Sequence, residues 1–205
     1  MMTETARHPR LPTDTDNGLL VIISGPSGVG KTTITRGVER SFADSVFSVS
    51  VTTRAKTDAD VEGVDYRFVD DETFDDMIEG DELLEWADVF GKKYGTPRAW
   101  VEEQLARGRL VILEIDVLGA RQVKEKLPDA LGVFILPPSE DVLLERLRAR
   151  KRESEELIQK RFAEARREIA EAKESGVYDL FVTNDDLDRA MAEAVDAVRT
   201  ARTGS

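Results

Sequence analysis

The segment Leu19-Leu20-Val21-Ile22-Ile23-Ser24 runs directly into Gly25-Pro26-Ser27-Gly28-Val29-Gly30-Lys31-Thr32, and this junction constrains the fold more than any other stretch. The apolar run reads as a buried strand. The string after it matches the pattern G-x-x-x-x-G-K-[ST], in which glycines let backbone N–H groups approach phosphate oxygens with no Cβ in the way. A helix starting at Lys31 presents unpaired N–H groups and its positive dipole end to the same anion. Lys31 can then reach the β- and γ-phosphates of a nucleoside triphosphate, and the Thr32 hydroxyl can ligate Mg²⁺. Chance produces the pattern in about 1% of chains this long, and here it also lies between strand and helix as the chemistry requires. The expected ATP site is therefore Gly25, Pro26, Ser27, Gly28, Val29, Gly30, Lys31, Thr32 and Thr33, with Lys31 catalytic and Thr32 on the metal.

Short apolar strands alternate with helices along the rest of the chain, which implies an α/β fold with a parallel central sheet covered on both faces. Further strands are expected at Phe47–Thr53, Asp65–Val69, Leu83–Val89, Leu110–Ile115, Gly132–Leu136 and Leu180–Thr183. A helix from Lys31 to about Phe42 follows the loop, and Ala55–Gly63 reads as a polar loop. Thr73–Ile78 reads as a short helix. Thr96-Pro97 reads as a helix start, Thr at N-cap and Pro at N1, with Gly108 as the stop. Ser139 should cap a helix through Arg150. A long helix from Ser154 carries Leu157, Ile158, Phe162, Ala165, Ile169 and Ala172 on one face and ends near Gly176. A last helix follows Asp185.

At 205 residues the chain fits one domain, expected over residues 18–201, with a polar, disordered tail over 1–17. The formal charge of −12 disfavours a nucleic-acid polymer as partner, although a few arginines in a cleft can still hold a small phosphorylated metabolite. No apolar run is long enough to cross a bilayer, and the tail lacks the apolar core of an export signal. With no cysteine and one histidine, His8, disulfides and thiolate metal sites are excluded. The expectation is a cytoplasmic protein with no membrane partner. Nothing in the sequence sets its oligomeric state.

Several separated motifs narrow the acceptor: Phe47-Ser48-Val49-Ser50-Val51-Thr52-Thr53-Arg54, Gly63-Val64-Asp65-Tyr66, Glu85-Trp86, Tyr94-Gly95-Thr96, Glu114-Ile115-Asp116 and Phe134-Ile135-Leu136-Pro137-Pro138-Ser139. In this order and spacing the chain, from about Leu19 to Val198, resembles guanylate kinase, which phosphorylates GMP with ATP. The resemblance implies a three-layer P-loop NTPase fold with an inserted GMP-binding subdomain over 50–100 and a lid region over 140–170. It also implies that Ser50, Arg54 and Tyr66 hold the GMP phosphate, assisted by Tyr94, and that Glu85, Thr96 and Asp116 surround the guanine. Arg54 joins Lys31 as a catalytic cation, and Arg150 and Arg161 correspond to the catalytic lid arginines, with Arg146 a further candidate. The chemistry of guanine fits this map. Glu85 can accept from N1 and N2, and the Thr96 hydroxyl can donate to O6. Glu114 and Asp116 fit two roles, orienting metal-bound water or supporting the structure.

The chain departs from the family pattern at one place. After Thr-Thr-Arg the family continues with a residue, Pro, a second Arg, a residue and Gly-Glu, whereas here Ala55-Lys56-Thr57-Asp58-Ala59-Asp60 follows. Thr57 thus stands at the second phosphate-binding arginine, which removes a planar fork. Either the GMP site tolerates the loss, or Lys56 swings in as a point charge. Two other readings remain for the whole chain: a guanylate-kinase-like interaction module, and a P-loop kinase for another acceptor such as a ribose phosphate. The intact Lys31 and Thr32 argue against the first, and the Glu85 and Thr96 pair against the second.

Overall fold

A computed structural model describes residues 17–89, 91–149 and 154–204. The expected disordered tail therefore lies outside the described residues, Asn17 excepted. β1 (Leu19–Ser24) is the middle strand of a five-stranded sheet; β2 (Ser45–Phe47) and β7 (Leu110–Glu114) lie to one side, β8 (Leu131–Leu136) and β9 (Leu180–Thr183) to the other. Every neighbouring pair in this sheet is parallel. Successive side chains along a strand point to opposite faces. Leu20 and Ile22 therefore enter one core with Val111, Leu113 and Phe134, and Val21 and Ile23 enter another with Leu110, Ile112, Val133 and Val182. Apolar residues at both parities explain why these strands read as continuous apolar runs.

Helices close both faces. α1 (Lys31–Ser41) contributes Ile34 and Val38 to the second core, joined by Ala190, Ala194, Val195 and Val198 of α7 (Leu187–Thr203). α3 (Arg98–Ala106), α4 (Val117–Lys126) and α6 (Glu155–Ser175) cover the other face through Val101, Ala120, Val123 and Ala172. α5 (Glu140–Ala149) begins after Ser139, whose Oγ accepts from the Val142 N–H at 3.2 Å, and it packs on α6 through Leu143, Leu147, Ile158 and Ala165. Among the described residues no helix is long and apolar enough to cross a membrane.

A second sheet, in the order β4 (Arg67–Phe68), β3 (Val51–Thr52), β6 (Lys92–Pro97), β5 (Leu83–Val89), lies between β2 and α3 in the chain. It is mixed: β3 runs parallel to β4, while β6 is antiparallel to both β3 and β5. Its own small core joins Val51 and Leu83 to Phe74 of α2 (Asp71–Glu79). Gly95 is obligatory there, because a Cβ would lie 2.9 Å from Leu83 Cδ1 and 3.0 Å from the Glu85 carbonyl oxygen.

The structure corrects several sequence expectations. Phe47–Thr53 is two strands: Ser48 N–H still bonds Ile112 O, but by Thr53 the backbone partner is Lys93 of the second sheet. Thr96 is a strand residue opposite Glu85, not a helix N-cap, and pairing continues to Pro97 opposite Leu83. The first helical N–H, of Arg98, is taken by Glu82 O at 2.8 Å, so the strand partner supplies what a capping hydroxyl would have supplied. α2 is capped by Asp70, which accepts from Thr73 N–H. α4 was not foreseen, although Asp116 ahead of Val117, Ala120 and Val123 carries the cap and the helical spacing. Leu157 is 43% exposed and lies off the buried stripe of α6.

The second sheet should depend on Phe74. Phe74→Ala is expected to destabilise the protein by about 3–5 kcal/mol in urea unfolding, as for other buried aromatic truncations. A loss below about 1 kcal/mol would show that this small core contributes little.

Candidate active site

The phosphate loop follows from β1 and the residues behind it. Gly25, Gly28 and Gly30 have φ of 151°, 88° and 95°, values that L side chains rarely adopt. Space forbids side chains as well: a Cβ on Gly25 would lie 2.7 Å from Ile135 O, and one on Gly30 would lie 2.5 Å from Asn184 Nδ2. The turn closes with Val29 N–H on Pro26 O at 3.3 Å, and α1 starts with Thr33 and Ile34 N–H groups on Gly30 O. Buried Asn184 donates to Val29 O at 2.7 Å, and Arg146 of α5 bridges Val29 O and Asn184 O at 3.4 and 3.0 Å. Asn184, which follows directly on β9, is absent from the sequence-based site and has no local signature that separates it from a surface polar residue.

Three polar groups meet at the start of α1. Lys31 Nζ lies 3.3 Å from Gly25 O and 3.7 Å from Glu114 Oε1, and Thr32 Oγ1 donates to the same carboxylate at 2.9 Å. A threonine hydroxyl and a carboxylate are hard oxygen ligands, the kind that hold a divalent cation together with nucleotide phosphates and water. Ser27 and Thr33 are exposed on the same loop and first helical turn.

On the second sheet Arg54 is already partnered. It forms a two-point ion pair with Asp60 at 2.8 and 3.0 Å, and its guanidinium lies 5.1 Å from the Tyr66 ring and 5.3 Å from the Phe68 ring. Thr57 completes this arrangement, donating to Asp60 from both its backbone N–H and its hydroxyl at 2.7 Å. Arg54, followed by Thr57, holds the Asp60 carboxyl well below the usual carboxylate range. Lys56 Nζ sits 6.0 Å from the Phe68 ring, so it shares an aromatic platform with Arg54. Tyr94 meets Tyr66 edge-on at 5.7 Å. Ser50 lies in the connection from β2 to β3, where its carbonyl accepts from Arg67 N–H.

Across the same sheet Glu85 is 6% exposed and Thr96 1%. Thr96 Oγ1 donates to Glu85 Oε1 at 2.6 Å. A hydroxyl has one proton to give, so in this arrangement Thr96 orients the carboxylate rather than donating elsewhere. Burial pushes the Glu85 carboxyl up to about 7; the Thr96 bond opposes the shift and the nearby Asp116 charge adds to it. Asp116 caps α4, accepting from Gly119 N–H at 2.8 Å. Gly119 backs directly onto the site, since a Cβ there would lie 2.9 Å from Glu85 Oε2.

The structure thus gathers Glu85, Thr96 and Asp116 in one group, Arg54, Tyr66 and Tyr94 in a second, and Lys31 and Thr32 in a third. Among the arginines, Arg161 is half-buried on α6, and Arg146 holds the phosphate loop. Arg150 lies outside the described residues.

A parallel sheet flanked by helices, with a glycine-rich loop between its central strand and the following helix, is an α/β fold of the P-loop NTPase type. The guanylate kinase family model matches residues 17–201. A guanylate kinase of Carboxydothermus hydrogenoformans is 50% identical over 184 residues, covering 90% of this chain and 88% of that protein. One of Symbiobacterium thermophilum is 47% identical, covering 92% and 90%. The crystal structure of guanylate kinase from Anaplasma phagocytophilum superposes with a TM-score of 0.68 at 31% identity, covering 93% of this chain and 89% of that one. The chain belongs to the guanylate kinase family.

Burial of Glu85 makes stability depend on pH. Its folded pKa of about 7 lies above the ordinary 4.5. Between those values the unfolded chain sheds a proton that the folded chain retains, so stability falls as pH rises through this window and levels off above it. Urea unfolding of wild type and Glu85→Gln should therefore diverge from pH 4.5 to 8, with wild type losing about 3 kcal/mol relative to the variant. A difference that stays flat across the window would mean that Glu85 is ionised at no cost.

Proposed function

We propose that the chain transfers the γ-phosphoryl group of ATP to GMP, with the base read at Glu85 and the acceptor phosphate held on the Arg54 platform. The buried Glu85–Thr96 pair carries this reading. An ionised carboxylate can accept from guanine N1–H and N2–H together. Adenine has no N2 amine and no N1 proton, and would leave the carboxylate unpaired, a mismatch worth a factor of about 10⁴ in comparable sites. A phosphate sugar without a base would leave Glu85 with no use beyond structure. An intact Lys31 and Thr32, in a loop braced by Asn184 and Arg146, favours an enzyme over an interaction module.

The chemistry needs little beyond placement. The second pKa of the GMP phosphate lies near 6, so at pH 7 the acceptor is mostly a dianion and needs no general base. The loop N–H groups and Lys31 hold the β- and γ-phosphates, and Arg54 with the tyrosines holds the acceptor in line. Thr32 would hold a Mg²⁺ ion, which would supply positive charge to the nucleotide phosphates. Glu114, bonded to Thr32 and close to Lys31, would keep both side chains oriented toward that ion. Residues 50–100 supply the acceptor subdomain, and Arg150 and Arg161 of the 140–170 region act over the ATP.

Coupled measurement of ADP release with GMP, AMP or no acceptor tests the assignment. Turnover should require GMP, and Lys31→Ala should lower kcat by about 10²–10³ while the fold persists. Rapid release with AMP or without acceptor, or full activity in Lys31→Ala, would sink it.

Lys56 supplies the charge that Thr57 does not, because it reaches the same Phe68 ring as Arg54. Lys56→Ala should raise KM for GMP severalfold and leave KM for ATP alone. An unchanged KM would mean that Arg54 and the two tyrosines suffice. Thr57→Arg should lower KM for GMP by restoring the fork, less the loss of the Thr57 hydroxyl bond to Asp60.

A further inference from the structure

β5 is the edge of the second sheet, so the outward N–H and C=O groups along it have no strand partner. Such an edge normally meets water or another chain. Here a helix of the central unit closes it. The side-chain amide of Gln122 forms two bonds with one residue: Oε1 accepts from Trp86 N–H at 3.1 Å, and Nε2 donates to Trp86 O at 3.0 Å. Lys126 Nζ donates to Leu83 O at 2.6 Å and to Asp81 Oδ1 at 2.6 Å. Gly119 lies against the Glu85 carboxylate. These three residues, at positions i, i+3 and i+7 of α4, form one helical face, and that face runs along Leu83–Trp86. The flank of α4 beside this face buries Ala120 and Val123 in the central core, so the helix is fixed independently of the acceptor.

We propose that Gln122 is a positioning residue for base selection: by pairing with the Trp86 backbone it fixes the reach of the adjacent Glu85 carboxylate toward the purine N1 and N2 edge. This rests on the reading of Glu85 as the guanine reader. Glu85 is held through Thr96 on its side chain and through β6 on one backbone edge; Gln122 holds the neighbouring residue on the other edge. A strand clamped from one side only can shift by the fraction of an ångström that separates two good hydrogen bonds from one. Selectivity for the N2 amine is then lost before binding of the phosphate is.

Inosine monophosphate, which is GMP without the N2 amine, isolates the effect. The ratio of kcat/KM for GMP to that for inosine monophosphate is measured in wild type, Glu85→Gln, Gln122→Met and Gln122→Glu. Wild type should prefer GMP, and Glu85→Gln should abolish the preference. Gln122→Met, of similar volume but without hydrogen bonds, should lower the ratio by about tenfold, the equivalent of one hydrogen bond to a charged group, with KM for ATP within about twofold. Gln122→Glu keeps the acceptor for Trp86 N–H and should fall between, which provides the reading if the methionine variant does not fold. Parallel losses for both nucleotides, with the ratio unchanged in either folded Gln122 variant, overturn the proposal while leaving the Glu85 assignment intact. A wild-type ratio near one that Glu85→Gln does not move would instead overturn the guanine reading itself.

Discussion

A carboxyl group held out of water, Glu85, is costly to ionise, and the middle of the second sheet is arranged around it. Desolvation of Glu85 opposes ionisation, and hydrogen bonds from the Thr96 hydroxyl and backbone offset part of that cost. The pairing of β5 with β6 places Thr96 opposite Glu85. Gly95 lets Phe74 and Leu83 pack beneath the pair, and Gly119 gives α4 the clearance to approach it. Each of these choices is awkward alone: two glycines within regular elements and an acid in a core. Together they leave a buried carboxyl with hydrogen-bonding capacity to spare, and in the proposed reading that capacity is what selects one purine edge.

The cations follow the opposite rule, each being held by acids or by backbone within the chain. In a chain of net charge −12, uncommitted cations would be drawn to the many surface acids. Asp60 instead holds Arg54 on an aromatic platform, with Thr57 fixing Asp60 in turn. Glu114 holds Thr32 and faces Lys31, and Arg146 and Asn184 brace the loop backbone from behind. These cations are held in place by acids that an incoming anion would have to replace as partners, so position is set in advance while the donors themselves stay exchangeable.

What the sequence disclosed followed the range of the interactions. The phosphate loop was legible because its chemistry is written in consecutive residues, and the parallel strands because burial on both faces leaves an unbroken apolar run. Thr96 was misread as a cap because its real partners, the Glu85 side chain and the β5 backbone, lie across a sheet. The stretch 47–53 looked like one strand because the alternation of side chains continues where the hydrogen-bond partner changes from β7 to β6. The start of α4 is hidden in the sequence because the Asp116 carboxylate at the end of an apolar strand fits a ligand as well as it fits the cap it forms on Gly119 N–H. Asp60, Asn184 and Gln122 had no local signature strong enough to separate them from surface polar residues. Their roles exist only once tertiary structure brings a backbone carbonyl or a guanidinium to them.

Proton release on GMP binding tests the role of Glu85 most directly. At pH 7 the GMP phosphate is mostly dianionic, whereas burial pushes the Glu85 carboxyl up to about 7, so part of the population carries the proton. In the proposed reading, accepting from two guanine N–H groups requires the ionised form, so binding should expel that proton. Titration calorimetry at pH 7, in buffers of differing ionisation enthalpy, counts that proton. The account requires a net release of a fraction of a proton per GMP in wild type and much less in Glu85→Gln. Release near zero in wild type, or the same release in both proteins, would contradict it.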